Sequence, residues 1–268
     1  MCAVLLLFLF KWCIIKAVHI LIYNEAKMNF QGITCDALLL LSENRLQNSR
    51  EFYEENKAVI QLQAIEPMRQ LAAIAGAFLQ EHDEKISVLP TRMVSRLRRD
   101  TRFSKDKTLY RDNLWLFVRR DKNAYPLHPG FWFEMFPNRS WQGVGYWHQP
   151  PAFLAFFRQW IYDNMDPFLA ALHSANKAGY SLYGDDYKRP KPAPAPDYPD
   201  ALTPFLMKKA VYFAKWNDDV SQLTQPDFGR KLCKSYSQLL PLYDCLKNAA
   251  EAYLREFPDG ADKLIRER

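Results

Sequence analysis

The sequence predicts an α+β fold, in which an antiparallel sheet from the central region packs against N-terminal and C-terminal helices. Three observations lead to this prediction. Apolar residues recur at helical spacing in the first third and at the end of the chain, whereas they alternate in the middle. The segments joining the alternating stretches are too short for crossover helices. A chain of 268 residues with 49% apolar residues can bury a core of this kind.

The first helical region covers residues 36 to 85. Apolar residues recur there at intervals of three and four, first in DALLLLSENRL and then in the longer stretch that ends near His82. Pro67 lies inside the second stretch. Because proline lacks the N–H group and its ring clashes with the preceding turn, we expect a break or kink in the helix there.

Three strands are predicted between residues 92 and 148. They are LWLFVRR at 114–120, FWFEMF at 131–136 and WQGVGYW at 141–147. Residues 210–216 supply a fourth candidate strand. A helix is expected to begin at Pro151, where proline suits the first helical position, and residues 228–255 have the pattern of closing helices. The proline-rich residues 188–200 are predicted to be an extended connection.

The first 27 residues differ from the rest of the chain. Residues 3–23 are long and apolar enough for a membrane anchor, but Lys11 and Lys16 would each cost roughly 2.5–3.5 kcal/mol at a bilayer centre. The alternative is a mis-assigned start, because Met28 is followed at once by a globular-looking segment. We therefore predict a single globular domain over residues 28–268. The apolar leader, residues 1–27, is either the product of a mis-assigned start or a membrane anchor.

Charge and cysteine content argue against several classes of protein. The formal net charge is +6, of which the first 27 residues carry +2, and the remaining +4 is too small for a dedicated nucleic-acid binder. Five widely spaced cysteines without a C-x-x-C pair fit a reducing compartment, so we predict a cytoplasmic protein, or a membrane-anchored one if the leader is genuine. Metal-binding, phosphate-loop and dinucleotide motifs are missing from the sequence, and we predict no metal and no cofactor.

Residues 98–107, RRDTRFSKDK, concentrate five bases and two acids. If residues 94–102 are extended, Arg96, Arg98, Asp100 and Arg102 share one face. Two acids cannot neutralise five bases, so the surplus cations can hold a phosphate or a carboxylate. The predicted ligand-binding residues of this segment are Arg96, Arg99, Arg102, Lys105, Lys107 and Tyr110, with Asp100 and Asp106 orienting the arginines.

The alternative for this segment is an ion-pair hub with a purely structural role. A carboxylate from elsewhere, such as Glu51, would then complete the charge balance and tie the first helices to the sheet. The sequence does not determine whether the protein is an enzyme. Asp100 and Asp106 are candidate general bases, and His148 is a candidate acid or base.

The glycine-rich strand forms a second candidate site. Alternation places Trp141, Gly143, Gly145 and Trp147 on one face, with the two indoles roughly 20 Å apart. Such a notch could admit a planar or sugar-like ligand, or it could let a helix or Arg158 pack closely against the backbone. We include these five residues among the candidate ligand-binding residues.

The charged segment also carries a resemblance. The pattern R-x-x-R-D-x-R-F-x-x-D-K-x-x-Y occurs here as Arg96, Arg99, Asp100, Arg102, Phe103, Asp106, Lys107 and Tyr110, and it resembles the signature of a bacterial family catalogued as domain of unknown function 2461. The segments at 30–32 and 48–53 and the glycine-rich strand resemble further landmarks of that family, although Leu109 stands where the family usually has proline. The resemblance covers residues 28 to about 250 and implies no established activity.

These observations lead to two functional hypotheses. The first is a protein that binds a small phosphate- or carboxylate-bearing ligand at the Arg/Asp/Lys segment. The second is a non-enzymatic structural or protein-interaction module in which that segment is an ion-pair hub. Contact with RNA or DNA through the basic run is a weaker third hypothesis, and contact with a membrane is expected only if the leader is genuine.

Overall fold

The computed structural model describes residues 26, 29–102, 104–147 and 149–258. Except for Ala26, the residues of the apolar leader lie outside this description. His148 also lies outside it, so the predictions for the leader and for His148 are not addressed by the structure. No helix among the described residues has the length and apolar character needed to cross a membrane.

Helices occupy both ends of the described chain, as the periodicity predicts. The α-helices are α1 (Cys35–Gln47), α2 (Arg50–Ile60), α3 (Glu66–His82), α4 (Pro90–Met93), α5 (Pro151–Asp163), α6 (Met165–Lys177), α7 (Phe228–Ser237) and α8 (Leu240–Glu256). Two 3₁₀ helices cover Asp200–Leu206 and Val220–Thr224.

The strands form one antiparallel sheet in the order β1-β2-β3-β5-β4. They are β1 (Leu114–Arg119), β2 (Gly130–Met135), β3 (Ser140–Tyr146), β4 (Ser181–Tyr183) and β5 (Val211–Asn217). The three central predicted strands and the fourth candidate strand correspond to β1, β2, β3 and β5, and the α+β class is confirmed. Strand β4 was not predicted from the sequence. It is only three residues long and pairs with β5 so that Tyr183 lies opposite Tyr212.

The expected break near Pro67 is a π-helical turn. Residues Gln61–Ile65 form this wider turn between α2 and α3, and Pro67 lies in the first turn of α3. Proline at that position removes the N–H that would otherwise bond to the carbonyl four residues earlier, so the chain widens just before it instead of stopping.

The joint between α1 and α2 is made by Asn48 and Ser49. Asn48 ends α1 in the left-handed conformation with φ 47°, which asparagine tolerates better than most residues. The Ser49 hydroxyl then accepts a hydrogen bond of 3.2 Å from the Phe52 N–H and begins α2. The Asn48 side chain is left to accept a 2.6 Å bond from the Leu109 N–H, inside the charged segment.

The described residues divide into two compact units. The first contains the residues up to Val118 together with Glu134–Ser140 and Asp218–Cys233. The second contains Arg119–Phe133, Trp141–Asn217 and the residues from Lys234 onward. The charged segment belongs to the first unit, and the glycine-rich strand and Arg158 belong to the second. The single domain over residues 28–268 stays a prediction.

Candidate functional site

The charged segment is an irregular hairpin, not a strand. Arg98 and Tyr110 form an isolated β-bridge, and the Arg99 N–H donates to the Leu109 carbonyl over 2.8 Å. Residues 94–99 pair antiparallel with 109–116 through isolated bridges at Val94 and Arg98, so the extended backbone expected for 94–102 is present up to Arg99, with Leu97 buried and Arg96 and Arg98 exposed. The chain turns at Asp100, because its carboxylate accepts the Arg102 N–H at 3.2 Å and folds the backbone back.

Arg99 holds the inside of the hairpin together. Its guanidinium donates to the Asp106 carboxylate, to the Thr108 hydroxyl at 2.5 Å and to the Ser104 hydroxyl at 3.4 Å, and its side chain is only 17% exposed. Asp106 also accepts the Thr108 N–H at 2.9 Å. This backbone bond, followed by the Arg99 contact, holds the pKa of Asp106 well below its ordinary value. Asp106 is therefore ionised near neutral pH and bound within its own loop.

Helix α1 contributes a base to the same cluster. Arg45 lies 3.5 Å from the Asp106 carboxylate and 3.7 Å from the Asp112 carboxylate, and it donates a long 3.5 Å bond to the Tyr110 carbonyl. The Tyr110 ring is buried and stacks on Tyr53 of α2, with ring centroids 4.7 Å apart. The segment is thus attached to both helices.

Glu51 does not pair with a described base of the charged segment, although the structural hypothesis had suggested this pairing. Its carboxylate accepts the Ser49 hydroxyl at 2.7 Å, which is a local contact at the start of α2 and lowers the pKa of Glu51. The helix and the hairpin are connected by a base on the helix and acids in or next to the segment. The sequence had led us to expect an acid on the helix and bases in the segment.

Arg102 and Asp100 form a second pair on the outside of the hairpin. The Arg102 Nε and Nη2 atoms lie 3.0 and 2.7 Å from the two carboxylate oxygens, with side chains 77% and 59% exposed. The hydrogen bond from the Arg102 side chain is the main cause that lowers the pKa of Asp100 to about 2. Both predicted general bases are therefore ionised acids held by arginines.

Four cations of the segment have no carboxylate partner among the described residues. Arg96, Arg98, Lys105 and Lys107 all have exposed side chains. Lys107 donates to the Thr101 carbonyl at 2.9 Å, which fixes its position without neutralising its charge. These four bases are the surplus expected from the sequence, and each is exposed to solvent.

The glycine-rich strand does not form an open notch. The ring centroids of Trp141 and Trp147 are 6.2 Å apart, so the predicted separation of about 20 Å is wrong. The space above Gly143 is filled by the Trp132 indole, whose carbon atoms lie 2.6 Å from where a Cβ would be. The backbone of Tyr212 closes over Gly145 in the same way. The glycines allow close packing of rings and strands, and Arg158 is not what packs there.

Aromatic side chains on β2, β3 and β5 cover this face of the sheet. Trp141 stacks on Trp216 with centroids 4.8 Å apart, and Trp147 stacks on Tyr212 at 4.9 Å. Since the ring faces are turned towards one another, the cluster is packed against itself. Tyr212 and Trp216 were not predicted to take part, although both lie in the alternating pattern of β5 that could have indicated them.

Arg158 lies at a separate place in the second unit. It is buried on α5 and donates through Nε to the Phe205 carbonyl and through Nη2 to the Lys208 carbonyl, both at 3.0 Å. Its guanidinium carbon is 5.7 Å from the centre of the Tyr187 ring. Lys191 and Lys209 contact the same ring, and neither lysine was singled out from the sequence.

Comparison with known proteins identifies the family. A family model described as "Conserved hypothetical protein (DUF2461)" matches residues 36–245, which is most of the chain, and the protein belongs to that family. No curated protein and no solved structure matches the chain. Within the described residues, His, Cys, Asp and Glu side chains do not form a group of three or more that could hold a metal ion.

Proposed function

We propose that this protein binds a small anionic ligand, bearing a phosphate or a carboxylate, on the outer side of the hairpin at residues 96–107. One observation carries the proposal. Both acids of the segment are engaged by Arg99 and Arg102, whereas Arg96, Arg98, Lys105 and Lys107 have exposed side chains and no carboxylate partner among the described residues. A net excess of positive charge is thus concentrated on one short loop.

The ion pairs support this role because they fix the loop that carries the free cations. Arg99, Asp106 and Thr108 close the hairpin from inside, so Lys105 and Lys107 project from a constrained backbone. Ordering a loop in advance lowers the entropy lost when a ligand binds. Because the cations are exposed, their attraction for an anion should weaken at high ionic strength, in contrast to a buried site.

A second candidate function is purely structural, with the segment serving as the hub that joins the hairpin to α1. The observation favouring it is Arg45, which lies close to both Asp106 and Asp112. The two candidates use different halves of the segment. The hub uses the inner residues, and the ligand site uses the outer cations.

The two are separated by titrating the full chain with inorganic phosphate and with acetate in a calorimeter at low ionic strength. The double substitution Arg98→Gln with Lys105→Gln should weaken binding by about two- to thirtyfold, since exposed charges each contribute roughly 0.2–1 kcal/mol. The matched control, Arg92→Gln with Lys122→Gln, removes two exposed charges elsewhere and should bind as the parent does. If neither anion binds the parent, or if both double variants lose affinity equally, the ligand site is wrong and the hub remains.

A further inference from the structure

A cleft in the second unit has the features of another anion site. It has a volume of about 330 Å³ and lies between α5 and the proline-rich segment that follows β4. Its walls are formed by Ala155, the Tyr187 ring and three prolines, with Arg158 and Lys191 among the lining residues. The volume is within the range of pockets that hold small organic ligands.

Arg158 is a buried charge with no ion-pair partner among the described acids. The residue is 5% exposed, and its two hydrogen bonds go to neutral backbone carbonyls at Phe205 and Lys208. Neither bond uses Nη1, and Arg158 makes no salt bridge with a described carboxylate. Buried charges in proteins are normally paired, so a guanidinium that lines a cleft in this state is suited to receive an anion from outside.

Further positive charge gathers around the same cleft. Lys191 lies 4.4 Å and Lys209 5.7 Å from the centre of the Tyr187 ring. Asp163 accepts the Gln159 amide at 2.8 Å, Asp197 accepts the Tyr162 hydroxyl at 2.7 Å and Asp186 pairs with Lys208 at 2.9 Å. None of these three acids forms an ion pair with Arg158, Lys191 or Lys209. A tyrosine ring attracts cations through its electron-rich face, but it does not cancel their charge.

We infer that this cleft binds a monoanionic carboxylate carried on a short apolar or planar body. The remaining edge of the Arg158 guanidinium matches the planar geometry of a carboxylate. Proline rings, Ala155 and Tyr187 offer an apolar surface to the rest of the molecule. A dianionic phosphate would lose more hydration in such surroundings than a carboxylate does. The site belongs to a different unit from the hairpin and does not depend on the function proposed above.

The test is calorimetric titration of the full chain with benzoate, and with benzamide as its uncharged counterpart. Benzoate should bind, and benzamide should bind at least tenfold more weakly. Ala155→Phe places a ring in the cleft from an exposed position of α5 and should reduce benzoate affinity more than tenfold. Ala152→Phe is the matched control, since Ala152 is exposed on the same helix but does not line the cleft, and it should bind as the parent does.

A second pair of variants examines the charge without adding volume. Lys191→Gln should weaken benzoate binding about two- to fivefold, as expected for one exposed charge, whereas Lys188→Gln should leave it unchanged. The double variant at Arg98 and Lys105 should bind benzoate at the cleft like the parent. The inference fails if no benzoate binding is detected up to a concentration of about 20 mM, if benzamide binds equally well, or if Ala155→Phe or Lys191→Gln binds like its control.

Discussion

Arg99 and Asp106, seven positions apart in the sequence, close the hairpin, with the guanidinium contacting both the Asp106 carboxylate and the Thr108 hydroxyl. The carboxylate in turn receives the Thr108 N–H, so the two residues are joined directly and through the backbone. Arg102 and Asp100, a few residues away, form a pair that is far more exposed. The two arginines of one motif therefore have different physical roles.

Arg99→Met should destabilise the fold by about 1.5–3 kcal/mol, the usual cost of losing hydrogen bonds to a charged group that is largely buried. Arg102→Met should leave the free energy of unfolding almost unchanged, because its pair with Asp100 is exposed to solvent. Urea unfolding of both variants, followed by tryptophan fluorescence, measures the difference. Equal destabilisation by the two substitutions would contradict the division of the motif into an inner and an outer half.

Acid should weaken the fold chiefly through Asp106, since the pair of Asp100 with Arg102 is exposed to solvent and contributes little. Both folded-state pKa values are depressed from the ordinary value of 3.8, that of Asp100 to about 2. A depressed pKa gives a contribution to stability that is complete above 3.8 and is lost as the pH falls through the folded value. The melting temperature should therefore fall between about pH 4 and about pH 2, and by less in Asp106→Asn than in the parent. Asp218→Asn, at an exposed position, should follow the parent curve.

Arg45→Met should lower the free energy of unfolding by about 0.5–1 kcal/mol, because its ion pairs are partly exposed. Arg92→Met provides the control, since Arg92 is exposed and has no ion pair with a described residue. A double-mutant cycle between Arg45→Met and Asp112→Asn isolates the contact itself. A coupling energy of zero would show that the 3.7 Å approach contributes nothing to the attachment of α1.

Gly143→Ala should destabilise the protein by about 1–3 kcal/mol, the typical cost of overpacking a filled site. The added methyl group would meet the Phe213 carbonyl and the Trp132 indole. Gly76→Ala is a useful contrast, because a Cβ in the middle of α3 meets only side-chain ends of Met93 and Val88, which can shift. If thermal unfolding ranks Gly76→Ala as the worse substitution, the packing role assigned to Gly143 is wrong.

The central strands were predictable from sequence because each is long enough for its alternation to be visible. Leu114, Leu116 and Val118 are buried in β1, while the residues between them are partly exposed. The three residues of β4 are too few to establish a period, and the pairing of that strand depends on β5. The position of Arg158 on the buried stripe of α5 was also readable, since it falls between Phe157 and Ile161 in a helical pattern.

The partners of the charged segment were not predictable from sequence. Arg45 is more than fifty residues before Asp106, in a helix whose pattern does not indicate which acids it reaches. The indoles of Trp141 and Trp147 are much closer to each other than the spacing of their backbone positions along the strand implies. Long aromatic side chains lean towards each other when only glycine and small residues lie between them, as Trp141 and Trp147 do.

The π-helical turn at Gln61–Ile65 determines how α2 is rotated about its axis relative to α3. Successive residues of an α-helix are about 100° apart around its axis, so removing one residue from this turn would rotate α2 by about that angle relative to α3. Tyr53 would then leave the Tyr110 ring on which it now stacks. A deletion in a turn that carries no charge and no ligand contact would therefore separate α2 from the hairpin, and the length of those five residues matters as much as their identity.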